Sequence, residues 1–349
     1  MPICGVSLGP RRADVRKSTP TQLGPSGALH LDTFEQPVKT SSSKKTVEKL
    51  LSMLGCCELC PRKCRVDRTK GETGFCRLSG DIVLHSAFPH HGEEPPLSGT
   101  HGAGTMFLSS CNLRCSYCQN YQISHDVRGE RMDAQGLALV MLDLQKKHCH
   151  NIEPVTPTPH LPGLIQALTL AREQGLRLPF VYNCGGYEDP AVIGMLAGIV
   201  DIYLPDFKYG DSEDALAFSG VADYPAHALA SLAEMVRQAG DALEMEGDVA
   251  VRGVLVRHLV LPGRPGNSFR VLEMIRQRIS PQVPLSIMSQ YTPTPAVSRH
   301  PVLGRRVTRA EYESVVNRAL DLGFENIFTQ EVDEHTLTPD FERDEPFAW

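Results

Sequence analysis

Three cysteines stand close together in the order Cys-x3-Cys-x2-Cys, at Cys111, Cys115 and Cys118. Three thiolates at this spacing can hold one iron–sulfur cluster, and a four-iron cube with only three cysteine ligands keeps an open position on one iron. A zinc ion held by these cysteines and His125, seven residues further on, is the competing interpretation. We favour the cluster because residues 105–109 predict a short buried strand, and barrel enzymes carry their chemistry at strand ends.

A second group of cysteines precedes the first one. Cys57, Cys60, Cys64 and Cys76 can close a four-thiolate site for zinc or for a second iron–sulfur cluster. The spacing does not separate these two metals, and Cys56 beside Cys57 leaves open which of the two is a ligand. Reduced cysteines packed as small apolar residues are the plain alternative, which the Arg, Lys, Asp and Glu residues around them disfavour.

Polar residues follow five of the predicted strands. They are Thr156 and Thr158, Asn183, Asp206 and Lys208, Arg257 and His258, and Ser289-Gln290-Tyr291. Each set has a plain interpretation as a solvated loop, but parallel strands of a barrel present such residues at one mouth. We therefore expect a shared site there.

Residues 90–95 hold two histidines and two glutamates, and we expect a polar loop near the cysteines in preference to a metal site.

The elements that must position these residues alternate between strands and helices from residue 105 onward. Repeated βα units predict a parallel sheet with outer helices. About six units favour an α/β fold with a partial (β/α)6 barrel, and a doubly wound open sheet is the alternative. Strands are predicted at 105–109, 151–155, 179–182, 201–204, within 249–261 and at 285–288, and helices at 44–54, 133–148, 161–174, 190–197, within 225–239, at 268–279 and from Thr308, where Glu311 completes a capping box.

Composition and length bound the remaining possibilities. A chain of 349 residues with 41% hydrophobic residues can bury a sizeable core, and the net charge of −6 gives no sign of a nucleic-acid or membrane partner. No apolar run of membrane-spanning length and no secretory signal are visible, so clustered cysteines predict metal binding in a reducing cytoplasm. We expect a disordered tail at 1–43, a small cysteine-rich appendage at 44–100, the barrel at 101–330 and a C-terminal tail at 331–349.

The cysteine motif, with Tyr117 before its last cysteine, resembles the signature of the radical S-adenosylmethionine (SAM) enzymes. Over residues 57–330 the chain is similar to members of that superfamily related to the activating enzyme of pyruvate formate-lyase. The shared segments are Cys-Pro-Arg, Gly-Glu-Glu-Pro, Cys-Gln-Asn and Met-Ser-Gln-Tyr. The resemblance implies a [4Fe-4S] cluster on Cys111, Cys115 and Cys118 that binds SAM and cleaves it reductively to a 5'-deoxyadenosyl radical.

The resemblance also implies roles for residues at the strand ends. Tyr117 matches the aromatic near adenine, and Asp206 and Lys208 match an Asp-x-Lys used around SAM. Two positions depart from the family, which has Gly-Gly-Glu near Thr156-Pro157-Thr158 and an aspartate near Asn183. Threonine hydroxyls are therefore expected to accept from the SAM amino group, and we include His258 among the cofactor contacts.

The resemblance implies two partners, an electron donor such as flavodoxin or ferredoxin and a separate glycyl radical enzyme as substrate. The chain itself shows no radical-bearing glycine motif. Radical SAM modification of another protein or a small molecule is the enzymatic alternative. A zinc or iron–sulfur binding protein without SAM chemistry is the alternative of another class.

Overall fold

The computed structural model of the chain describes residues 40–332, 338–343 and 345–347. The strands in these ranges are β1 (Ile82–His90), β2 (Ala103–Leu108), β3 (Glu130–Met132), β4 (Ile152–Val155), β5 (Val181–Cys184), β6 (Ile202–Pro205), β7 (Leu243–Glu246), β8 (Val249–Val254), β9 (Val256–Leu259), β10 (Leu285–Met288) and β11 (Ile327–Thr329). The α-helices are α1 (Thr40–Ser52), α2 (Pro95–Ser98), α3 (Tyr121–Ser124), α4 (Ala134–Lys146), α5 (Leu161–Glu173), α6 (Pro190–Gly194), α7 (Ser212–Ser219), α8 (Tyr224–Ala239), α9 (Pro265–Arg278) and α10 (Arg309–Asp321). The predicted tail at 1–43 lies outside the described residues, except that α1 begins at Thr40.

Parallel strands form the centre of the fold. β2, β4, β5, β6 and β8 pair in this order with parallel register, and β9, β10 and β11 form a second parallel set. β8 and β9 are two halves of one stretch interrupted at Leu255, and a bridge between Asp206 and Arg257 joins the two sets. Strand order follows chain order without the reversal of a doubly wound sheet. The predicted α/β fold with six successive parallel strand units is thus confirmed, and β11 is a further parallel strand that was not predicted.

Three strands flank this core in antiparallel pairing. β1 pairs with β2, β3 pairs with β1, and β7 pairs with β8. None of the three was predicted from the sequence. β1 contains His85, Ser86 and Pro89, which interrupt the alternation of polar and apolar residues by which a strand is recognised.

The outer helices bury the apolar faces that the sequence predicts. Along α5, Leu164, Ile165 and Leu168 are inaccessible or nearly so, because three- and four-residue spacings place them on one face of the helix. The predicted capping box of α10 is confirmed. The Glu311 N–H donates to Thr308 Oγ1 at 3.2 Å, and the Thr308 N–H donates to Glu311 Oε2 at 2.9 Å.

The short helix α2 closes one end of the barrel. Its Leu97 is completely buried and packs in one apolar cluster with Val181, Ile202 and Leu255. Asn151, directly before β4, donates through Nδ2 to the Leu97 carbonyl at 2.9 Å. The amino ends of the strands are therefore filled with side chains, and the opposite end is left for a site.

The described part of the C-terminal tail packs on the edge of the barrel. Phe341 is 5% exposed, with its ring 5.3 Å from that of Phe107 in β2. The Phe341 N–H donates to Gln122 Oε1 at 2.8 Å, so the tail also touches the helix α3 that follows the cysteines. None of the helices in the described ranges combines the length and the apolar character needed to cross a membrane.

Candidate functional site

The loop that carries the three central cysteines, residues 109–120, leaves the carboxyl end of β2 and is called the cysteine loop below. Ser110 (φ 76°) and Arg114 (φ 52°) are left-handed, which costs each non-glycine residue about 1–2 kcal/mol. The surroundings hold this shape. His160 Nε2 lies 2.6 Å from the Ser109 carbonyl oxygen, and Thr294 Oγ1 donates to the Ser116 carbonyl at 2.7 Å. Backbone strain that the fold maintains in this way clusters at functional sites.

Each of the three sulfurs in the cysteine loop receives a hydrogen bond. The Leu113 N–H donates to Cys111 Sγ at 3.3 Å, and Ser219 Oγ donates to Cys115 Sγ at 2.9 Å. Ser124 Oγ donates to Cys118 Sγ at 3.2 Å. Hydrogen bonds to cysteine sulfur help to set the reduction potential of iron–sulfur clusters. The loop therefore presents three sulfurs in surroundings that suit cluster ligands.

Burial works against negative charge on the Cys111 and Cys118 thiols. It raises the pKa of Cys111 to about 12, and the neighbouring Cys115 sulfur adds to this effect. Burial and then Cys115 also raise the pKa of Cys118. Because metal ligands must be thiolates, a bound group has to bring positive charge into the loop to deprotonate them. The donor set thus fits an iron–sulfur cluster, whose irons supply that charge.

The zinc interpretation needs His125 as fourth ligand. In the structure His125 Nε2 lies 3.0 Å from the Cys115 carbonyl oxygen, so this ring nitrogen is engaged with the backbone. Among the described residues no group of three or more His, Cys, Asp or Glu side chains is arranged to hold a metal ion. A four-iron cluster keeps its ligand sulfurs further apart than one ion does, since four bonds separate two cysteine sulfurs on different irons and only two bonds separate them on one ion.

Asp206 and Lys208 follow β6 and lie beside the cysteine loop. Lys208 Nζ is 2.5 Å from Asp206 Oδ2, and about a fifth of each side chain is exposed, 19% for Lys208 and 23% for Asp206. Burial alone would lower the pKa of Lys208, but the charges of Asp206 and then of Cys115 and Cys118 hold it above its usual value. The structure therefore brings together two groups that the sequence predicted separately, the Asp-x-Lys pair and the cysteines.

Tyr117 is buried among aromatic rings behind the cysteines. Its ring makes edge contacts with Tyr209 and Phe218, each with centroids 6.3 Å apart, and a tilted contact with Tyr291 at 6.0 Å. Only 5% of Tyr117 is exposed. These rings shield one side of the cysteine loop from water, and Tyr291 comes from the last polar set that the sequence placed at a strand end.

Thr156 and Thr158 follow β4, but their surroundings differ. Thr156 is left-handed (φ 60°), and its N–H donates to the Asn183 carbonyl at 2.9 Å. The Thr158 hydroxyl donates to Glu188 Oε1 at 2.8 Å and is 1% exposed. Burial raises the pKa of Glu188 to about 8, although the hydrogen bonds from Thr158 and Tyr182 lower it. Glu188 was not among the predicted site residues, although it stands only four residues after the strand β5.

The Asn183 side chain contacts a second carboxyl group that was not among the predicted site residues. Its Nδ2 donates to Glu153 Oε1 at 2.8 Å, and Glu153 is completely buried, with Oε2 lacking a hydrogen-bond partner in the described residues. Burial and then the charge of Glu93 raise the pKa of Glu153 well above its usual value. A signal was present, because a glutamate in the middle of the predicted buried strand 151–155 contradicts an apolar interior.

Glu93 and Glu94, from the loop at 90–95, bind Arg257 instead of a metal. Arg257 Nε donates to Glu94 Oε1 at 2.9 Å and Nη2 donates to Glu94 Oε2 at 2.6 Å. Nη2 also contacts Glu93 Oε2. Arg257 and Glu153 influence each other's charge, so three carboxyl groups and one guanidinium form a polar cluster inside the barrel.

His258 lies in the core beside this cluster. Nδ1 is 2.7 Å from the Phe207 carbonyl oxygen, and Nε2 is 2.8 Å from Ser268 Oγ. Burial lowers its pKa to about 4 and keeps the ring neutral. Both ring nitrogens therefore have protein partners, and the ring holds the Phe207 backbone between Asp206 and Lys208.

The second cysteine group lines a separate cavity against the barrel. Cys57, Cys60, Cys64 and Cys76 all face it, whereas Cys56 is exposed and does not. The cavity also touches Asn112 of the cysteine loop and Thr158 after β4. All ten described cysteines are free thiols.

Comparison with known proteins adds likenesses in sequence and fold. No protein-family model matches the chain. The chain is 28% identical over 272 residues to the uncharacterized protein MJ0674 of Methanocaldococcus jannaschii. The aligned region covers 75% of this chain and 74% of that protein.

Among solved structures, the chain is similar to a radical SAM methyltransferase from Sphaerobacter thermophilus, with a TM-score of 0.45, 13% identity and 65% of this chain covered. It is also similar to SuiB of Streptococcus suis bound to the precursor peptide SuiA, with a TM-score of 0.45, 10% identity and 64% covered. The chain spans 66% of the methyltransferase and 47% of SuiB. At these identities a likeness concerns the fold alone, so the chemical argument rests on the cysteine loop and the Asp206–Lys208 pair.

Proposed function

We propose that this protein is a radical SAM enzyme with its catalytic [4Fe-4S] cluster on Cys111, Cys115 and Cys118. The observation that carries the proposal is the cysteine loop itself, in which three sulfurs at the end of β2 each receive a hydrogen bond. When bound, such a cluster supplies the electron that cleaves SAM to methionine and a 5'-deoxyadenosyl radical. The protein's part is to hold both groups, orient them and exclude water.

The chain's own charges fit a SAM molecule beside the loop. SAM carries a sulfonium, an ammonium and a carboxylate group. We assign the Asp206 carboxylate to the positive groups and the Lys208 ammonium to the carboxylate, since both are largely buried and Coulomb interactions are strong where water is excluded. The Asp206–Lys208 ion pair must open to make these contacts, and it holds the two side chains in place until then.

Tyr117 is assigned to the adenine ring. Its buried position among Tyr209 and Tyr291 supports a role in excluding water from the reacting groups. A primary carbon radical abstracts hydrogen from most organic molecules, so a dry, closed site is a requirement of this chemistry.

Thr156, Thr158, Asn183 and His258 are the remaining proposed cofactor contacts. Thr158 and Asn183 would act together with the carboxyl groups of Glu188 and Glu153, to which they donate. Once an ammonium group beside them favours their ionised form, these carboxylates are stronger acceptors than threonine hydroxyls alone. For His258, a contact with SAM requires release of one of its two present hydrogen bonds.

For the substrate we propose the glycine of a separate glycyl radical enzyme, as expected from the sequence resemblance, with flavodoxin or ferredoxin as electron donor in a reducing cytoplasm. The ten free described cysteines support a reducing compartment. Another protein or a small molecule is the alternative substrate. A glycyl radical enzyme that is activated will develop the electron paramagnetic resonance (EPR) signal of a glycyl radical when it is mixed with the reduced protein and SAM. If no such signal develops, a glycyl radical enzyme is excluded as the substrate.

Anaerobic reconstitution tests the central proposal. With iron, sulfide and dithionite, the wild-type protein is expected to convert SAM to 5'-deoxyadenosine, measured by chromatography. Cys115→Ala removes one ligand and is expected to give none, whereas Cys56→Ser changes an exposed cysteine outside the loop and is expected to match wild type. SAM cleavage by Cys115→Ala at the wild-type rate contradicts the assignment. Iron binding without SAM cleavage by wild type indicates the non-catalytic class of iron–sulfur protein.

A further inference from the structure

The cavity lined by the second cysteine group is built around sulfur. Cys57, Cys60, Cys64 and Cys76 border one cavity between the N-terminal segment and the barrel. These cysteines come from two turns of chain, so folding brings Cys76 to the other three. Cys56, next to Cys57 in the sequence, is exposed and lies outside the lining. The structure thus separates the two neighbouring cysteines that the spacing could not.

Backbone strain marks this cavity as it marks the cysteine loop. Lys63 (φ 42°) and Arg65 (φ 58°) enclose Cys64, and Arg77 (φ 59°) follows Cys76. Each left-handed non-glycine residue costs about 1–2 kcal/mol. In the described ranges seven such residues occur, and five of them adjoin cysteines of the two groups, the three above together with Ser110 and Arg114 in the cysteine loop. Left-handed residues thus recur beside both cysteine groups, as one also does at His148 beside the buried Cys149.

The backbone turns its N–H groups toward these thiols. The Phe75 N–H lies 3.4 Å from Cys64 Sγ. The Lys63 N–H donates to the Cys60 carbonyl at 3.0 Å and the Arg65 N–H donates to the Cys57 carbonyl at 2.9 Å, which fixes a tight turn between the cysteines. The Phe75 N–H contact stabilises negative charge on the Cys64 sulfur.

Two guanidinium groups border the same space. Arg68 is 3% exposed, and its Nη1 is 3.9 Å from Cys57 Sγ while Nη2 donates to the Pro159 carbonyl at 2.9 Å. Arg62 lies 3.6 Å over the ring of Phe75. Both guanidinium groups donate to backbone carbonyls, Arg68 to Ser79 and Arg62 to Asn112, but neither has a carboxylate partner among the described residues. A metal centre with four thiolates carries a net negative charge and therefore matches these arginines.

We propose that Cys57, Cys60, Cys64 and Cys76 hold a second iron–sulfur cluster. A zinc ion binds its four sulfurs at about 2.3 Å, which draws them to about 3.8 Å from one another and leaves no space between them. A four-iron cluster fills the space between sulfurs that lie further apart. No three His, Cys, Asp or Glu side chains among the described residues are arranged to hold a single ion, so the spacing of these four sulfurs favours the cluster. With four protein ligands it has no open iron and does not bind SAM, so the site is distinct from the proposed catalytic one.

The second cluster shares a wall with the cysteine loop. Ser110 Oγ, directly before the first catalytic cysteine, donates to the carbonyl of Cys76. Asn112 lines the cavity, and its carbonyl accepts from Arg62 Nε at 3.0 Å. Both contacts fall on residues that adjoin Cys111. Metal binding at the second group therefore also orders one side of the catalytic loop.

A variant without the catalytic cysteines tests this site without altering it. The triple change Cys111→Ala, Cys115→Ala and Cys118→Ala leaves the second group intact, so metal bound after anaerobic reconstitution belongs to that group. We expect about four irons per chain, against about eight in wild type, and Mössbauer and EPR spectra of a four-iron cluster. About one zinc without iron, or no metal at all, overturns the proposal.

A second pair of variants keeps the test independent of the proposed function. Cys60→Ser is expected to lose about four irons of the wild-type content, and the exposed control Cys56→Ser is expected to lose none. Full iron content in Cys60→Ser overturns the second cluster but leaves SAM cleavage standing. Four irons in the triple variant together with absence of SAM cleavage by wild type overturns the proposed function but leaves the second cluster standing.

Discussion

The two cysteine groups of this chain differ in the number of thiols that they present and in what encloses them. The cysteine loop offers three sulfurs beside a charged pair, Asp206 and Lys208, at the carboxyl end of the parallel strands. The N-terminal group offers four sulfurs around a cavity bordered by Arg62 and Arg68. A three-thiolate site leaves room for a cofactor, whereas a four-thiolate site is complete by itself.

The charged side chains around the two cysteine groups differ in the same way. Near the cysteine loop a carboxylate and an ammonium lie together, and this suits a ligand that carries both charges, as SAM does. Around the N-terminal cavity the two bordering arginines suit only an anionic centre. Both groups nevertheless rely on the same local device, left-handed residues beside cysteines, of which Arg65 and Arg114 are examples.

The largest expected effect is the contrast in SAM cleavage between Cys115→Ala and Cys60→Ser. Loss of a ligand from the three-thiolate site is expected to abolish formation of 5'-deoxyadenosine, because the open iron is no longer held. Loss of a ligand from the four-thiolate site is expected to leave part of the SAM cleavage activity, since no substrate binds there. Both variants are to be assayed at equal concentrations of folded protein, and abolition by Cys60→Ser alone would reverse the roles of the two groups.

The next effect concerns SAM affinity. Asp206→Ala and Lys208→Ala are each expected to weaken SAM binding about 10- to 100-fold, equivalent to about 1.4–2.8 kcal/mol, while iron content stays near the wild-type value. Equilibrium binding of SAM under anaerobic conditions measures this.

Arg172→Ala provides the matched control for those variants. Arg172 Nη2 pairs with Asp201 Oδ2 at 3.0 Å at the opposite end of β6 from Asp206. It is expected to lose stability but to bind SAM normally. If Asp206→Ala and Lys208→Ala instead lose iron and also unfold, their ion pair has a structural role. The cysteine loop would then have no charged cofactor pocket that distinguishes it from the N-terminal group.

A glycine substitution separates the two sites without touching a ligand. A Cβ added at Gly74 would lie 2.7 Å from Cys64 Sγ, so Gly74→Ala must displace that cysteine. We expect loss of metal from the N-terminal group only. Gly80→Ala is the control, because its Cβ meets nothing closer than the Arg68 carbonyl oxygen at 3.6 Å. Unchanged iron content in Gly74→Ala would show that Cys64 is not a ligand.

The smallest effect is a dependence of stability on pH. Folded His258 takes up a proton at a pKa of about 4, compared with 6.5 for an ordinary histidine, because burial disfavours the charged ring. Between these values the unfolded chain binds more protons. Stability is therefore lost as the pH falls from about 6.5 to about 4, by up to about 1.4 kcal/mol per pH unit for this residue. His160, whose pKa is also lowered to about 4 by burial, adds a second contribution of the same sign.

Urea unfolding at pH 7 and pH 5 checks this. His258→Gln is expected to be less stable at pH 7 by about 1–3 kcal/mol through lost hydrogen bonds, and to show a shallower loss on acidification. The exposed His91→Gln is the control and is expected to follow wild type. A His258→Gln variant that unfolds as wild type but binds SAM poorly would instead favour a direct contact with the cofactor.

Local patterns were sufficient for much of the fold. The helices α4 and α5 and the strands β4, β6 and β10 begin and end within a few residues of the predicted bounds, and α10 begins directly after the predicted Thr308. Their signals are periodic apolar residues and, for α10, a capping box, all of which act between neighbours in the chain. β1 was missed because His85, Ser86 and Pro89 break its alternating pattern, and β11 because a three-residue edge strand gains its pairing from a distant partner.

The sequence by itself determined the identity of both cysteine groups and the presence of polar residues at the strand ends, because spacing along the chain limits which side chains can share a ligand. Only the tertiary structure decided that Cys57 and not Cys56 faces the cavity, which the predicted Cys76 also lines. These choices depend on how turns of the backbone orient neighbouring side chains.

The buried acids show the same limit at longer range. Glu94 and Arg257 are 163 positions apart, and Thr158 and Glu188 are 30 apart. Residue types alone do not reveal such pairs, since burial sets their pKa values and the strand order sets their contacts. The residues that can do chemistry were thus visible in the sequence, while their partners, charges and enclosure were decided by folding.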